Sequence, residues 1–134
     1  MTIRELSQLY YLNREIEMDK KRLAELETKA LPGSPVIDGL PHGSGTSDRV
    51  ARYAVEIADL RGIIEAKHQQ CLYERNRLER YIADIEDSLT RQVFSYRFVN
   101  GLSWTQVAAC IGGNNTADSV RKVCTRYIEK SCPQ

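Results

Sequence analysis

GLSWTQVAACIGGNNTADSVRKVCTRYIEK, residues 101–130, divides into two short helices joined by a tight turn. Ser103 stands at an N-cap position and Gln106 follows three residues later, a spacing that lets each side chain accept the other residue's backbone N–H. Val107, Ala108 and Ile111 form a short apolar stripe, small enough for another helix to come close. Gly112-Gly113-Asn114-Asn115 ends that helix, because Gly and Asn tolerate the left-handed backbone of a C-cap and turn. Thr116 is placed to cap the next helix, and Asp118 in its first turn suits the positive end of the helix dipole. There Val120, Val123, Cys124 and Tyr127 share one face, at the spacing of a buried stripe.

Turning by about 100° per residue puts Asp118, Lys122 and Thr125 opposite that stripe, with Ser119, Arg121 and Arg126 on its flanks. An apolar back with a front of donors is what a helix needs in order to lie in the major groove of DNA. Ser119 and Lys122 are the expected base readers, and Arg121 can reach base or phosphate. Arg126 and the turn residues Asn114, Asn115 and Thr116 are expected at the phosphate backbone. Thr125 completes the surface. Asp118 helps the dipole but repels phosphate, so it either accepts from a cytosine or stays clear of the backbone. The plainer alternative is that all of these are ordinary solvated side chains.

Residues 85–128 resemble the helix-turn-helix of sigma-factor region-four domains, in the form found in small phage and prophage regulators of late transcription. The matching residues are Arg-x-Val-Phe and Tyr-Arg-Phe within 91–98, Gly101-Leu-Ser-Trp, Val107-Ala, Ile111-Gly and Thr116-x-x-Ser-Val-Arg. Upstream, Ser34-Pro-x-x-Asp-Gly-Leu-Pro-x-Gly-x-Gly-x-Ser-Asp, ending at Asp48, is similar to a linker of the same phage-borne proteins. The resemblance implies sequence-specific binding of double-stranded DNA in transcriptional control, and leaves contact with RNA polymerase open.

The chain of 134 residues has the length of one domain, or of one small domain with an extended element. A hydrophobic fraction of 42% and a charged fraction of 28% suit a folded, water-soluble protein. No apolar run approaches the roughly 20 residues that span a membrane, and the N-terminus lacks a signal-peptide core, so a cytoplasmic location is expected. The net charge of +1 is unevenly divided. From Ser88 onward six basic residues face two acidic ones, giving +4 there and leaving −3 for the rest. Attraction to phosphate requires such a concentration of positive charge. Cys71, Cys110, Cys124 and Cys132 form no C-x-x-C pair and read as reduced, small hydrophobes. His42 and His68 are far apart in the chain, so a metal site has little support.

Towards the N-terminus, Leu9, Ile16, Leu23 and Ala30 recur at heptad spacing, widened by Leu6, Leu12 and Leu26, which predicts a helix from about Thr2 to Ala30. Leu31 to Thr46 holds three of the four prolines and breaks it. Val36, Ile37 and Leu40 in that linker favour an ordered, packed loop over a flexible spacer. Ser47 is read as the cap of a second helix, with Val50, Ile57, Ile64, Cys71, Leu78 and Ile85 in heptad register and Leu60 and Tyr81 in the companion seam. Lys67 and Glu74 interrupt that seam. At about 1.5 Å per residue this helix is on the order of 60 Å long, and it cannot bury its stripe alone. Leu89, Val93, Phe94 and Phe98 then point inward from a supporting helix over about Ser88 to Val99. Trp104 reads as core or rim packing rather than as a stacking platform for a base.

The expected fold is therefore all-α. A long antiparallel helical hairpin, a coiled-coil-like stem, occupies residues 1–87 with the Pro/Gly-rich linker at 31–46. A trihelical helix-turn-helix domain follows at 88–134. The stem can close within one chain or through a homodimer. The leading function is a DNA-binding transcriptional regulator of phage or prophage genes. The alternatives are a recognition subunit for phage DNA packaging (small terminase-like) and a coiled-coil scaffold without DNA binding. No paired carboxylates, nucleophile with a histidine partner or phosphate-cradling loop appears, so no enzyme, cofactor or small-molecule substrate is expected.

Overall fold

The computed structural model describes residues 1–31 and 45–131. The linker with Val36, Ile37 and Leu40, and Cys132 near the C-terminus, lie outside the described residues. The helices are α1 (Ile3–Leu6), α2 (Gln8–Ala30), α3 (Gly45–Ala83), α4 (Ser88–Phe94), a π-helical turn (Ser95–Val99), α5 (Trp104–Ile111) and α6 (Ala117–Ser131). Every regular element among the described residues is helical, and the fold is all-α. No helix there is long and apolar enough to cross a membrane.

The chain forms two compact units, Arg14–Gln69 and Met1–Asn13 with Gln70–Gln134. In the first, Ile16 and Ile64 of the heptads and the companion residues Leu26 and Leu60 are buried, while Leu23, Ala30 and Ile57 are half-buried. Arg61 meets Glu27 at 2.9 Å, while Lys67 meets Glu15 at 3.3 Å and Asp19 at 2.5 Å. The earlier residue of α3 pairs with the later residue of α2, so these segments run in opposite directions. Exposed pairs such as Arg61–Glu27 contribute at most about 1 kcal/mol. Lys67, a flaw in the apolar pattern, is answered across the seam. Its hydrogen bond to Asp19, aided by Glu15, holds its pKa above the ordinary lysine value against the effect of desolvation. Val50, first in the register, is exposed. The second helix begins at Gly45 rather than at Ser47, which lies in its first turn.

In the other unit, Thr2 and Glu5 cap α1 reciprocally, and a single turn residue, Ser7, separates α1 from α2. The single helix expected from Thr2 to Ala30 is thus broken once. Leu6, Leu9, Leu12, Leu78, Ile82 and Ile85 are buried here. Cys71 Sγ donates to Asn13 Oδ1 at 3.6 Å. Asp87 caps α4, its Oδ2 accepting from Thr90 N at 3.0 Å and Thr90 Oγ1 at 2.7 Å, which satisfies a buried hydroxyl. Those bonds hold the Asp87 carboxyl below the usual carboxylate range. The Arg91 guanidinium closes the preceding turn on the carbonyls of Ile85 and Glu86.

Phe94 is the centre of this core. It is fully buried, with the rings of Phe98, Tyr127 and Tyr81 at 5.3, 5.4 and 6.4 Å, and tilted or edge-on contacts of this kind add to its area burial. Leu89, expected inside, is exposed instead; it lies in the first turn of α4, one turn before the buried Val93 and Phe94. The backbone then winds into the π-helical turn, closed by Asn100 N donating to Ser95 O at 3.0 Å. Gly101 ends it at φ +70°, a conformation that only glycine enters without strain.

Candidate nucleic-acid interface

α5 opens with the reciprocal cap read from the sequence: Gln106 N donates to Ser103 Oγ at 3.2 Å, and Ser103 N to Gln106 Oε1 at 2.9 Å. Val107 and Ala108 are buried, whereas Cys110, read as a small hydrophobe, is exposed. Gly112 and Gly113 stop α5 at φ +78° and +65°. Asn114 and Asn115 do not share the left-handed backbone, which the two glycines supply alone. Asn115 instead closes the turn, its Nδ2 donating to Gly112 O at 3.0 Å.

The start of α6 is held by a second reciprocal pair. Thr116 N donates to Ser119 Oγ at 2.8 Å and Ser119 N to Thr116 Oγ1 at 3.1 Å. The Ser119 hydroxyl further reaches Thr116 O at 3.0 Å and Asn115 Oδ1 at 3.4 Å. Asn115, Thr116 and Ser119 are therefore committed to the turn. The Asn114 side chain is exposed and forms no hydrogen bond among the described residues.

Along α6, Val120 and Cys124 are buried and Val123 and Tyr127 half-buried, so this face packs on α4 and α5. Burial pushes the Cys124 thiol up to about 11, against a small opposing effect of Arg97. The opposite face presents Arg121, Lys122, Thr125 and Arg126, all exposed. Two of its cations are already engaged. Asp118 Oδ1 lies 2.9 Å from Arg121 and Oδ2 3.0 Å from Lys122, a single carboxylate between two bases. Lys122 first and Arg121 second hold the Asp118 carboxyl below its ordinary range. Thr125 Oγ1 donates to Arg121 O at 3.0 Å. Arg126 forms no ion pair among the described residues.

Arg97, part of the Tyr-Arg-Phe match, was expected to carry no site role. Its guanidinium lies 4.5 Å from the Trp104 ring centroid and donates to Leu102 O at 2.9 Å. Trp104 is half-buried beneath it. The signal was absent because the π-helical turn that rotates Arg97 onto Trp104 has no local sequence pattern. No protein-family model, curated protein or solved structure matches the chain.

Proposed function

We propose that the chain is a sequence-specific DNA-binding regulator of transcription, in which α5, the Gly112–Gly113 turn and α6 act as a helix-turn-helix and α4 supports them as the third helix. The observation that carries this is the division of α6 into a buried back of Val120 and Cys124 and an exposed front of Arg121, Lys122, Thr125 and Arg126. A helix so divided can enter a major groove without disturbing its own core. Lys122 and Arg121 are the base readers on this reading. Ser119 contributes by setting the start of the helix, since its hydroxyl is used in the cap. Arg126 and Asn114 meet the phosphate backbone.

In the same proposal α2 and α3 form an antiparallel hairpin, and the resemblance to phage late regulators suggests genes of that kind as targets. One reading helix has a small footprint, and pairing of two copies on repeated half-sites is the usual remedy. Selection of bound sequences from random duplex DNA tests the whole reading. Enrichment of a motif, with repeated half-sites, is expected. Recovery of no motif, or binding insensitive to salt between about 0.05 and 0.2 M, refutes it. Light scattering of the selected complex is expected to give two chains per duplex, and a ring-sized mass points to DNA packaging instead.

A further inference from the structure

A cavity of about 370 Å³ opens beside the π-helical turn, walled on one side by Ser7, Tyr10 and Tyr11 and on the other by Arg97, Phe98, Ser103 and Gln106. Its size is at the lower end of small-ligand sites. Its polar chemistry is one-sided. Arg97 supplies a permanent positive charge, and one bond to Leu102 O leaves several of its N–H donors for another acceptor. Gln106 Oε1 is occupied by Ser103 N, so its amide NH₂ is the end left to donate. Ser103 Oγ accepts from Gln106 N, which leaves its hydroxyl proton as a donor. Ser7 and Tyr11 add hydroxyls, and none of the described residues lining the cavity is acidic.

The surrounding geometry keeps that donor set in place. The ring of Trp104 fixes the Arg97 guanidinium from one face. Gly101 also lines the cavity at φ +70°, and a Cβ there would lie 3.6 Å from Tyr10 Cδ2. A π-helical turn, a cation over an indole ring and a donor-lined hollow therefore meet at one place, and π turns concentrate at functional sites.

We propose that this cavity is a seat for the phosphate or carboxylate group of a small anionic ligand, with Arg97 as its charge partner and Ser7, Tyr11, Ser103 and Gln106 as donors. It uses no residue of the α6 front and stands whether or not α6 reads DNA. The oxyanion has two sources, a free small molecule or a backbone phosphate of bound duplex.

Trp104 is the only tryptophan and touches Arg97, so its emission reports on the seat. Wild-type protein titrated with inorganic phosphate, chloride being withdrawn to hold ionic strength constant, is expected to show a saturable change with a millimolar midpoint. Arg97→Lys keeps the charge but loses the fork, and is expected to weaken the midpoint at least about fivefold. The Ser7→Ala/Tyr11→Phe double variant leaves Arg97 and the α5 cap intact, and is expected to weaken it several-fold without lowering the melting temperature. A linear response, the same response to chloride, or wild-type titration by both variants overturns the proposal. A second arm separates the sources with duplex of arbitrary sequence. Competition by phosphate, with a salt slope lower by about 0.9 in an Arg97→Gln variant that removes the charge, assigns the seat to DNA phosphate. Unchanged duplex binding assigns it to a free anion.

Discussion

Asp118→Asn is expected to tighten binding to DNA of arbitrary sequence. The carboxylate lies 2.9 Å from Arg121 and 3.0 Å from Lys122, and all three side chains are more than half exposed, so it cancels charge at the face that would meet phosphate. Asparagine keeps the size and the place at the start of α6 but releases both cations. Each added phosphate contact steepens the dependence of log K on log salt by about 0.9. Releasing one cation to phosphate therefore steepens it by about 0.9, and releasing both by about 1.8. With binding at 1 M salt unchanged, the gain at 0.1 M is about eightfold per contact. Lowering the pH does not substitute for the mutation. The depressed pKa keeps Asp118 ionised, so its pairs persist above the ordinary carboxylate value of 3.8 and are lost only as pH falls below it. Fluorescence anisotropy with scrambled and selected duplexes, from about 0.05 to 0.3 M salt, gives both quantities. An unchanged or shallower slope on scrambled duplex refutes the reasoning. Weaker binding to the selected site alone, beside stronger binding to scrambled DNA, shows Asp118 accepting from a base.

Lys122→Ala is expected to cost roughly 1–3 kcal/mol on the selected site and to relax preference at one position, whereas Arg126→Ala weakens all duplexes alike and lowers the salt slope by about one unit. Wild-type binding by both variants places the reading surface elsewhere. Two glycine-to-alanine changes are expected to have opposite signs in urea denaturation. Gly62→Ala, in helix with nothing within 4 Å of the new methyl, stabilises by roughly 0.5–1 kcal/mol, while Gly112→Ala at φ +78° destabilises by roughly 1–2 kcal/mol. Under native conditions iodoacetamide is expected to label Cys110 and to spare Cys71 and Cys124, as read by peptide mass spectrometry. Because burial raises Cys124 from 9.0 to about 11, its contribution to stability is fully present below pH 9 and lost as pH rises towards 11; Cys124→Ser, read by denaturation across that range, is expected to flatten the alkaline decline.

Heptad spacing alone located α2 and α3, since Ile16, Leu26, Leu60, Ile64 and Leu78 recur at the helical period and are buried. Local chemistry was equally legible at α5, where Ser103 and Gln106 stand three residues apart and the glycines mark the end. These signals are contained within a few residues, so they survive without knowledge of the rest of the chain. Long-range packing decided what they could not. Lys67 reads as a defect until Asp19 and Glu15 arrive from a different helix. Leu89 and Val93 share a helix face, yet only Val93 is buried, because it lies beside Phe94 in the core while Leu89 lies one turn nearer the start of α4. At the candidate interface the sequence placed Arg121, Lys122 and Arg126 on one exposed face, a consequence of helical period and an apolar back. It did not reveal that Asp118 holds two of those cations, that Ser119 spends its hydroxyl on Thr116, or that Arg97 lies against Trp104. Those arrangements depend on rotamers and on a π-helical turn, and neither is encoded by spacing.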